Sequence, residues 1–202
     1  MGQWVIALGF LASNNGTSLR AVVKAIESGD LSAQARLVVS NRKSAPALIF
    51  AREHGVATRV IPTAVDAEAA DAALAEALNL AGVELVVLSG YLRRIGPRTL
   101  RAYRNRILNI HPALLPKFGG EGMYGRRVHE AVIASGDSHT GASVHLVDDQ
   151  YDHGAVLTAI ELRILPGDTP ESIERRVMAV EPTLFVEALQ RIAAGSLRLP
   201  PG

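Results

Sequence analysis

The sequence predicts an α/β protein built on a doubly wound, mostly parallel sheet, with a C-terminal β-hairpin and a proline-kinked last helix. Short apolar runs with little alternation recur along the chain, as strands covered on both faces require. Segments of helical period stand between them. Polar, glycine-bearing stretches fall where strands end and helices begin.

Val5–Leu11 reads as the first strand, and Leu19–Ile26 as an amphipathic helix that Thr17 or Ser18 can cap. Ala35–Ser40 is the second strand and Ala45–His54 the second helix. Thr58–Ile61, Val65–Ala81 and Val83–Leu88 continue as strand, Ala-rich helix and nearly all-apolar strand. Pro97–Tyr103 is a short helix after a loop with two glycines. Ile107–His111 enters as a buried strand, which Pro112 and Pro116 end. Four glycines in residues 117–125 make a mobile loop, either a lid or disordered. Arg126–Ser135 is a helix on which His129 serves as a surface or packing residue. Ala142–Leu146 and Ala155–Ile164 form a hairpin around the turn 148–153. Thr169 caps the last helix, with Pro170 at its first position. That helix turns Ile173, Val177, Val180, Leu184, Val186 and Leu189 to the core, and Pro182 should kink or split it near Met178–Glu181.

With 202 residues, 48% of them hydrophobic and 20% charged, the chain is expected to be one soluble domain over 1–202. A net charge of +1 offers no strong field for nucleic acid or membrane. Cysteine is absent, so disulfides, thiolate metal sites and a cysteine nucleophile are excluded, consistent with a reducing cytoplasm. The N-terminus lacks a basic leader region, and Met1-Gly2 is a poor acylation signal because Val5 and Ile6 look committed to the core. Five of the six histidines lie between 111 and 153, without a His-x-x-x-His or His-Glu-x-x-His spacing for zinc.

Two stretches carry chemistry. Asn109 and His111 stand two apart on an apolar strand and so share one side. Burying both is costly unless they satisfy each other or serve a ligand. On the hairpin, Ser143 and His145 form a polar side, and Asp152 precedes the returning strand, where a carboxylate can approach His111. Asp148, Asp149 and His153 build the turn. The loop Ser13–Ser18 is either an anion site at a helix start or a plain capped turn.

Ile107–Pro116, the Lys117–Tyr124 glycine loop, Gly141-Ala-Ser-Val-His145 and Asp152-His-Gly154 together resemble the folate-dependent formyltransferases, most closely the branch acting on glycinamide ribonucleotide. The likeness spans nearly the whole chain and implies a Rossmann-like formyltransferase fold. It implies formyl transfer from 10-formyltetrahydrofolate to the amine of glycinamide ribonucleotide, with small molecules as partners and a monomer or homodimer. Asn109, His111 and Asp152 fall on the family's catalytic trio. Folate would lie along Leu92, Arg93, Arg94 and Ile95, with Asn109, and against Asp148, Asp149, Gln150, Tyr151 and Asp152. The acceptor would take Gly16, Thr17 and Ser18 for its phosphate and Met178, Ala179, Val180 and Glu181 along the last helix, with Ser143 and His145 in support. Asp152 is expected to raise the pKa of a protonated His111 and to hold the orientation of that ring; no metal is needed.

The first loop departs from the family pattern Ser-Gly-x-Gly-[Ser/Thr]-Asn at Asn14 and Ser18, and an arginine frequent near 64–70 is missing. Other amine or amino-sugar phosphate acceptors share the trio. The sister hydrolases carry a domain before the first strand and the tRNA-directed members one after the last helix, and neither is expected here. A folate-binding domain without turnover is the non-enzyme alternative.

Overall fold

The computed structural model describes residues 5–202. The reading of Met1-Gly2 lies outside them. Seven strands form one sheet in the order β3-β2-β1-β4-β5-β6-β7. They are β1 Ile6–Leu11, β2 Ala33–Ser40, β3 Ala57–Val60, β4 Leu85–Leu88, β5 Ile107–His111, β6 His139–Leu146 and β7 Val156–Arg163. Pairing is parallel from β3 through β5 and antiparallel from β5 to β7. The expected doubly wound sheet and C-terminal hairpin are therefore both present, with strand ends displaced by at most three residues.

Six helices connect the strands: α1 Thr17–Glu27, α2 Pro46–Glu53, α3 Ala67–Leu80, α4 Pro97–Ala102, α5 Arg126–Ser135 and α6 Pro170–Ala193. The strands β1 and β4 are buried at every position, which explains their unalternating sequence. Leu8, Phe10, Leu19 and Phe185 belong to one core layer, while Leu11, Leu78, Val86 and Ile107 belong to the other. Successive β1 residues thus feed opposite faces of the sheet.

Three local expectations are corrected. Neither Thr17 nor Ser18 caps α1; Gly16 occupies the N-cap in the left-handed region, at φ 68°, with no side-chain bond. Pro182 does not split α6, which is one helical segment of 24 residues. Proline removes the backbone bond to the Met178 carbonyl, but the apolar anchors Ile173, Val177, Leu184, Phe185 and Leu189 hold both halves on the sheet. Val180 and Val186 are only half-buried, flanking that stripe. Thr169 does cap α6, accepting from Ser172 N and completing a capping box.

The β6–β7 hairpin depends on close backbone approach at Gly141, where a Cβ would collide with the Ile160 carbonyl oxygen and Leu114. Gly141→Ala should therefore destabilise the protein by ~3 kcal/mol or more, because overpacking against backbone cannot be relieved by a rotamer change. Urea melts of the two proteins measure it, and equal midpoints would contradict the packing.

Candidate active site at the carboxyl edge of the sheet

Strand order reverses between β1 and β4, so the carboxyl ends of β1, β4 and β5 open onto one crevice. The antiparallel register then sets Asn109 opposite His145 and His111 opposite Ser143. Asn109 Nδ2 lies 3.2 Å from His145 Nε2. His145 Nδ1 lies 2.8 Å from the Leu146 carbonyl oxygen, which can only accept. Nδ1 therefore carries the proton, and Nε2 accepts from the Asn109 amide. One Asn109 N–H is spent in this way and the other is left for a ligand.

His111 is 3% exposed. Its Nε2 donates to the Phe118 carbonyl at 2.7 Å. Its Nδ1 faces Asp152 Oδ2 at 3.4 Å, and the other carboxylate oxygen stands 3.5 Å from His145 Nε2. Asp152 also accepts from Gly120 N–H at 3.1 Å. It adopts φ 54°, a left-handed conformation uncommon for a residue with a side chain. The hairpin turn thus presents the carboxylate between two imidazoles and the glycine loop.

The expectation of a protonated His111 is corrected. Burial lowers the His111 pKa below its ordinary value of 6.5 and outweighs the opposing pull of Asp152 and the Phe118 carbonyl. Burial likewise lowers the His145 pKa against the Leu146 carbonyl and Asp152. Both rings are neutral near pH 7, and His111 Nδ1 is a proton acceptor facing a carboxylate.

The 117–125 loop is neither free nor formless. Phe118 is buried, its carbonyl holds His111, and Gly120 holds Asp152. A Cβ at Gly119 would press on Asp152 Cβ at 2.9 Å, so a glycine here lets the loop lie against the carboxylate. Glycine content had signalled mobility; the missing information was which partner the loop leans on. His129, expected at the surface or in packing, is buried at 2% exposure.

Around this centre the other expected residues divide. Ser143 is fully buried and bridges the segment after β5, donating to the Ala113 carbonyl and accepting from Leu115 N–H. Leu92 and Arg93 are exposed on the 89–96 loop, whereas the Ile95 side chain is core, leaving only its backbone for a ligand. Arg94 is not merely solvated: it donates to the Asp149 carbonyl at 2.6 Å and lies over the Tyr151 ring. It thereby joins the 89–96 loop to the hairpin turn. Asp148 builds that turn, accepting from Gln150 N–H and pairing with His153. Asp149, Gln150 and Tyr151 are exposed on it.

Gly16 and Ser18 are buried and Thr17 exposed at the start of α1, where the helix dipole and free N–H groups converge. On an unbroken α6, Met178, Ala179, Val180 and Glu181 point in four directions and cannot all face one ligand. Met178 and Glu181, three apart, share a side. Glu181 has no hydrogen-bond or ion-pair partner among the described residues, and burial raises its pKa to about 7. A cavity of about 470 Å³ runs along Ser13, Asn41, Arg42, Thr63, Leu92 and Arg93. Arg42 and Arg93 give it a basic lining. Among the described residues no helix is long and apolar enough to cross a membrane.

The class that the fold and these groups define is an α/β protein with an amide donor, a proton-accepting imidazole and a carboxylate gathered at a sheet edge. The chain belongs to the formyl transferase family, whose model matches residues 7–189. It is 37% identical over 189 residues to the chloroplastic phosphoribosylglycinamide formyltransferase of Arabidopsis thaliana, covering 92% of this chain and 64% of that protein. It is 34% identical over 191 residues to the Escherichia coli K12 phosphoribosylglycinamide formyltransferase, covering 94% and 88%. Glycinamide ribonucleotide transformylase 1 from Symbiobacterium toebii has the same fold, with a TM-score of 0.88 at 35% identity over 99% of this chain and 92% of that one. The chain spans somewhat under two thirds of the length of its plant relatives.

Glu181 gives the protein a pH signature. Its folded pKa of about 7 lies above the ordinary 4.5, so between those values the native state holds the extra proton. Stability should fall as pH rises through that window, in the sense opposite to a paired carboxylate. Glu181→Gln should abolish this slope and exceed the parent by ~2 kcal/mol at pH 8, after allowance for partial exposure. Denaturant melts at pH 5 and pH 8 test it; parallel pH slopes would show that Glu181 is not desolvated.

Proposed function

We propose that the protein transfers a formyl group from 10-formyltetrahydrofolate to the primary amine of glycinamide ribonucleotide, residues 1–202 acting as one formyltransferase domain in the cytoplasm without a metal. The observation that carries this reading is the meeting of Asn109, His111 and Asp152 at the carboxyl edge of β5, in a chain of the formyl transferase family. Folate would lie on the backbone of Leu92–Ile95 and against the Asp148–Asp152 turn. The acceptor phosphate would sit on the free N–H groups of Gly16–Ser18. Glu181, unpartnered and able to be neutral or charged near pH 7, would meet the amine.

The bound donor supplies an electrophilic formyl carbon and, after transfer, a leaving nitrogen that needs a proton. The amine nitrogen bonds to that carbon, and negative charge grows on the formyl oxygen. Asn109 donates its free N–H to that oxygen, an interaction worth roughly 3–4 kcal/mol of barrier in comparable oxyanion sites. His111 takes the amine proton at Nδ1, by way of a water against Asp152, because its Nε2–H is committed to Phe118. Asp152 stabilises the imidazolium until the proton passes to the leaving nitrogen as the carbon–nitrogen bond breaks.

The direct test is turnover. Purified protein with both substrates should give formylated product and tetrahydrofolate in equal amounts, and folded protein without turnover on this pair would overturn the proposal. His111→Ala should lower kcat by roughly 10²–10⁴-fold while folate affinity changes little.

Asp152→Asn has a distinct signature. Removing the charge that opposes burial lowers the His111 pKa further, so the limb of the pH–rate profile governed by His111 should move to lower pH. A limb that stays in place would show that the two groups are not coupled.

A further inference from the structure

The loops assigned to the two substrates are bound to each other. Ser13, 1% exposed, ends β1 and begins the acceptor loop. Its N–H donates to the Gly90 carbonyl at 3.1 Å. Its hydroxyl accepts from Leu92 N–H at 2.8 Å and donates to Asn41 Oδ1 at 2.7 Å. Ser89, 2% exposed, makes the reciprocal tie from the folate side. Its hydroxyl accepts at 2.9 Å from Leu19 N–H in the first turn of α1, while its own N–H donates to the Leu11 carbonyl at 2.8 Å. Each serine hydroxyl therefore satisfies a backbone N–H of the other loop.

We infer that Ser13 and Ser89 are positioning residues that couple the acceptor-phosphate loop to the folate loop, so that the two substrates bind cooperatively. The inference rests on the proposed placement of the two substrates. The geometry gives the coupling its mechanism. A phosphate held on Gly16–Ser18 fixes the first turn of α1, which Leu19 N–H fixes to Ser89 and hence to Gly90. Folate on Leu92–Ile95 fixes the Leu92 backbone, which the Ser13 hydroxyl fixes to the start of the acceptor loop. Whichever ligand arrives first further restrains both loops through these ties, and the second binds without the cost of that restraint. By linkage the gain must be the same in both directions.

Two ordinary roles of a buried serine do not predict this. A serine that only satisfies a backbone donor contributes to stability and leaves the affinities of two separate ligands independent. A serine that touches one substrate changes that affinity alone. A linking serine changes the factor by which each ligand alters the affinity of the other.

The experiment is isothermal titration of the folded protein with glycinamide ribonucleotide and with tetrahydrofolate, each alone and in the presence of saturating amounts of the other. In the parent each ligand should tighten the other by about fivefold or more, the lower end of ordinary coupling. Ser13→Ala should bring that factor to within about twofold of unity, and Ser13→Thr, which keeps the hydroxyl, should restore part of it. Ser89→Ala breaks the link from the opposite side and carries the test if Ser13→Ala does not fold. A parent factor of one, or an undiminished factor in both alanine variants, overturns the coupling while leaving the proposed function standing. Failure of the folded parent to bind either ligand overturns the functional reading, and the coupling falls with it.

Discussion

A carboxylate placed among buried imidazoles is the constraint on which the rest of this structure turns. Asp152 keeps only 11% of its side chain exposed, and a charge so enclosed needs donors around it. The N–H of Gly120 donates to it, while the two histidines face it through acceptor nitrogens at 3.4 and 3.5 Å and become donors only when protonated. Every one comes from a different part of the chain: β5, β6 and the glycine loop. The left-handed backbone at Asp152, costing on the order of 1 kcal/mol, is offset by those contacts, since they aim the carboxylate inward instead of at solvent.

The sheet topology supplies this arrangement. Five strands run parallel from β3 to β5, and each of the parallel pairs brings a loop to the same carboxyl edge. The reversal at β6 then brings a side-chain pair to that edge instead of a loop. Antiparallel register puts Asn109 against His145, and the turn between β6 and β7 brings Asp152 to His111 and His145. A wholly parallel sheet would have needed a crossover helix here, and the carboxylate would have arrived from farther away.

What was legible in the sequence followed from short-range rules. Period two put Asn109 and His111 on one side; apolar runs without alternation marked β1 and β4 as central; Thr169 and Pro170 marked the start of α6. The convergence of the hairpin with β5 was legible only as a possibility, since spacing does not fix which carboxylate reaches which ring. The protonation state of His111 was misread because a nearby acid is visible in sequence, whereas burial is a property of everything packed around the ring. Of the two outcomes expected at Pro182, the split does not occur, for a related reason. Local propensity argues for a break, but the anchors on both sides of it are fixed by packing on the sheet. The joining of Arg94 to the hairpin turn had no local signal at all.

The departures in the first loop take on a physical meaning in this setting. The side chain of Asn14, which departs from the expected family pattern, accepts from Arg42 at 2.8 Å while its backbone carbonyl accepts from Ala47 N–H. Arg20 holds the next carbonyl, that of Asn15. The loop is therefore clamped from the β2–α2 side and from α1. Replacing a flexible residue with a side chain that brings a guanidinium to the rim conserves backbone presentation and adds positive charge nearby. That combination favours an anionic group at the start of α1.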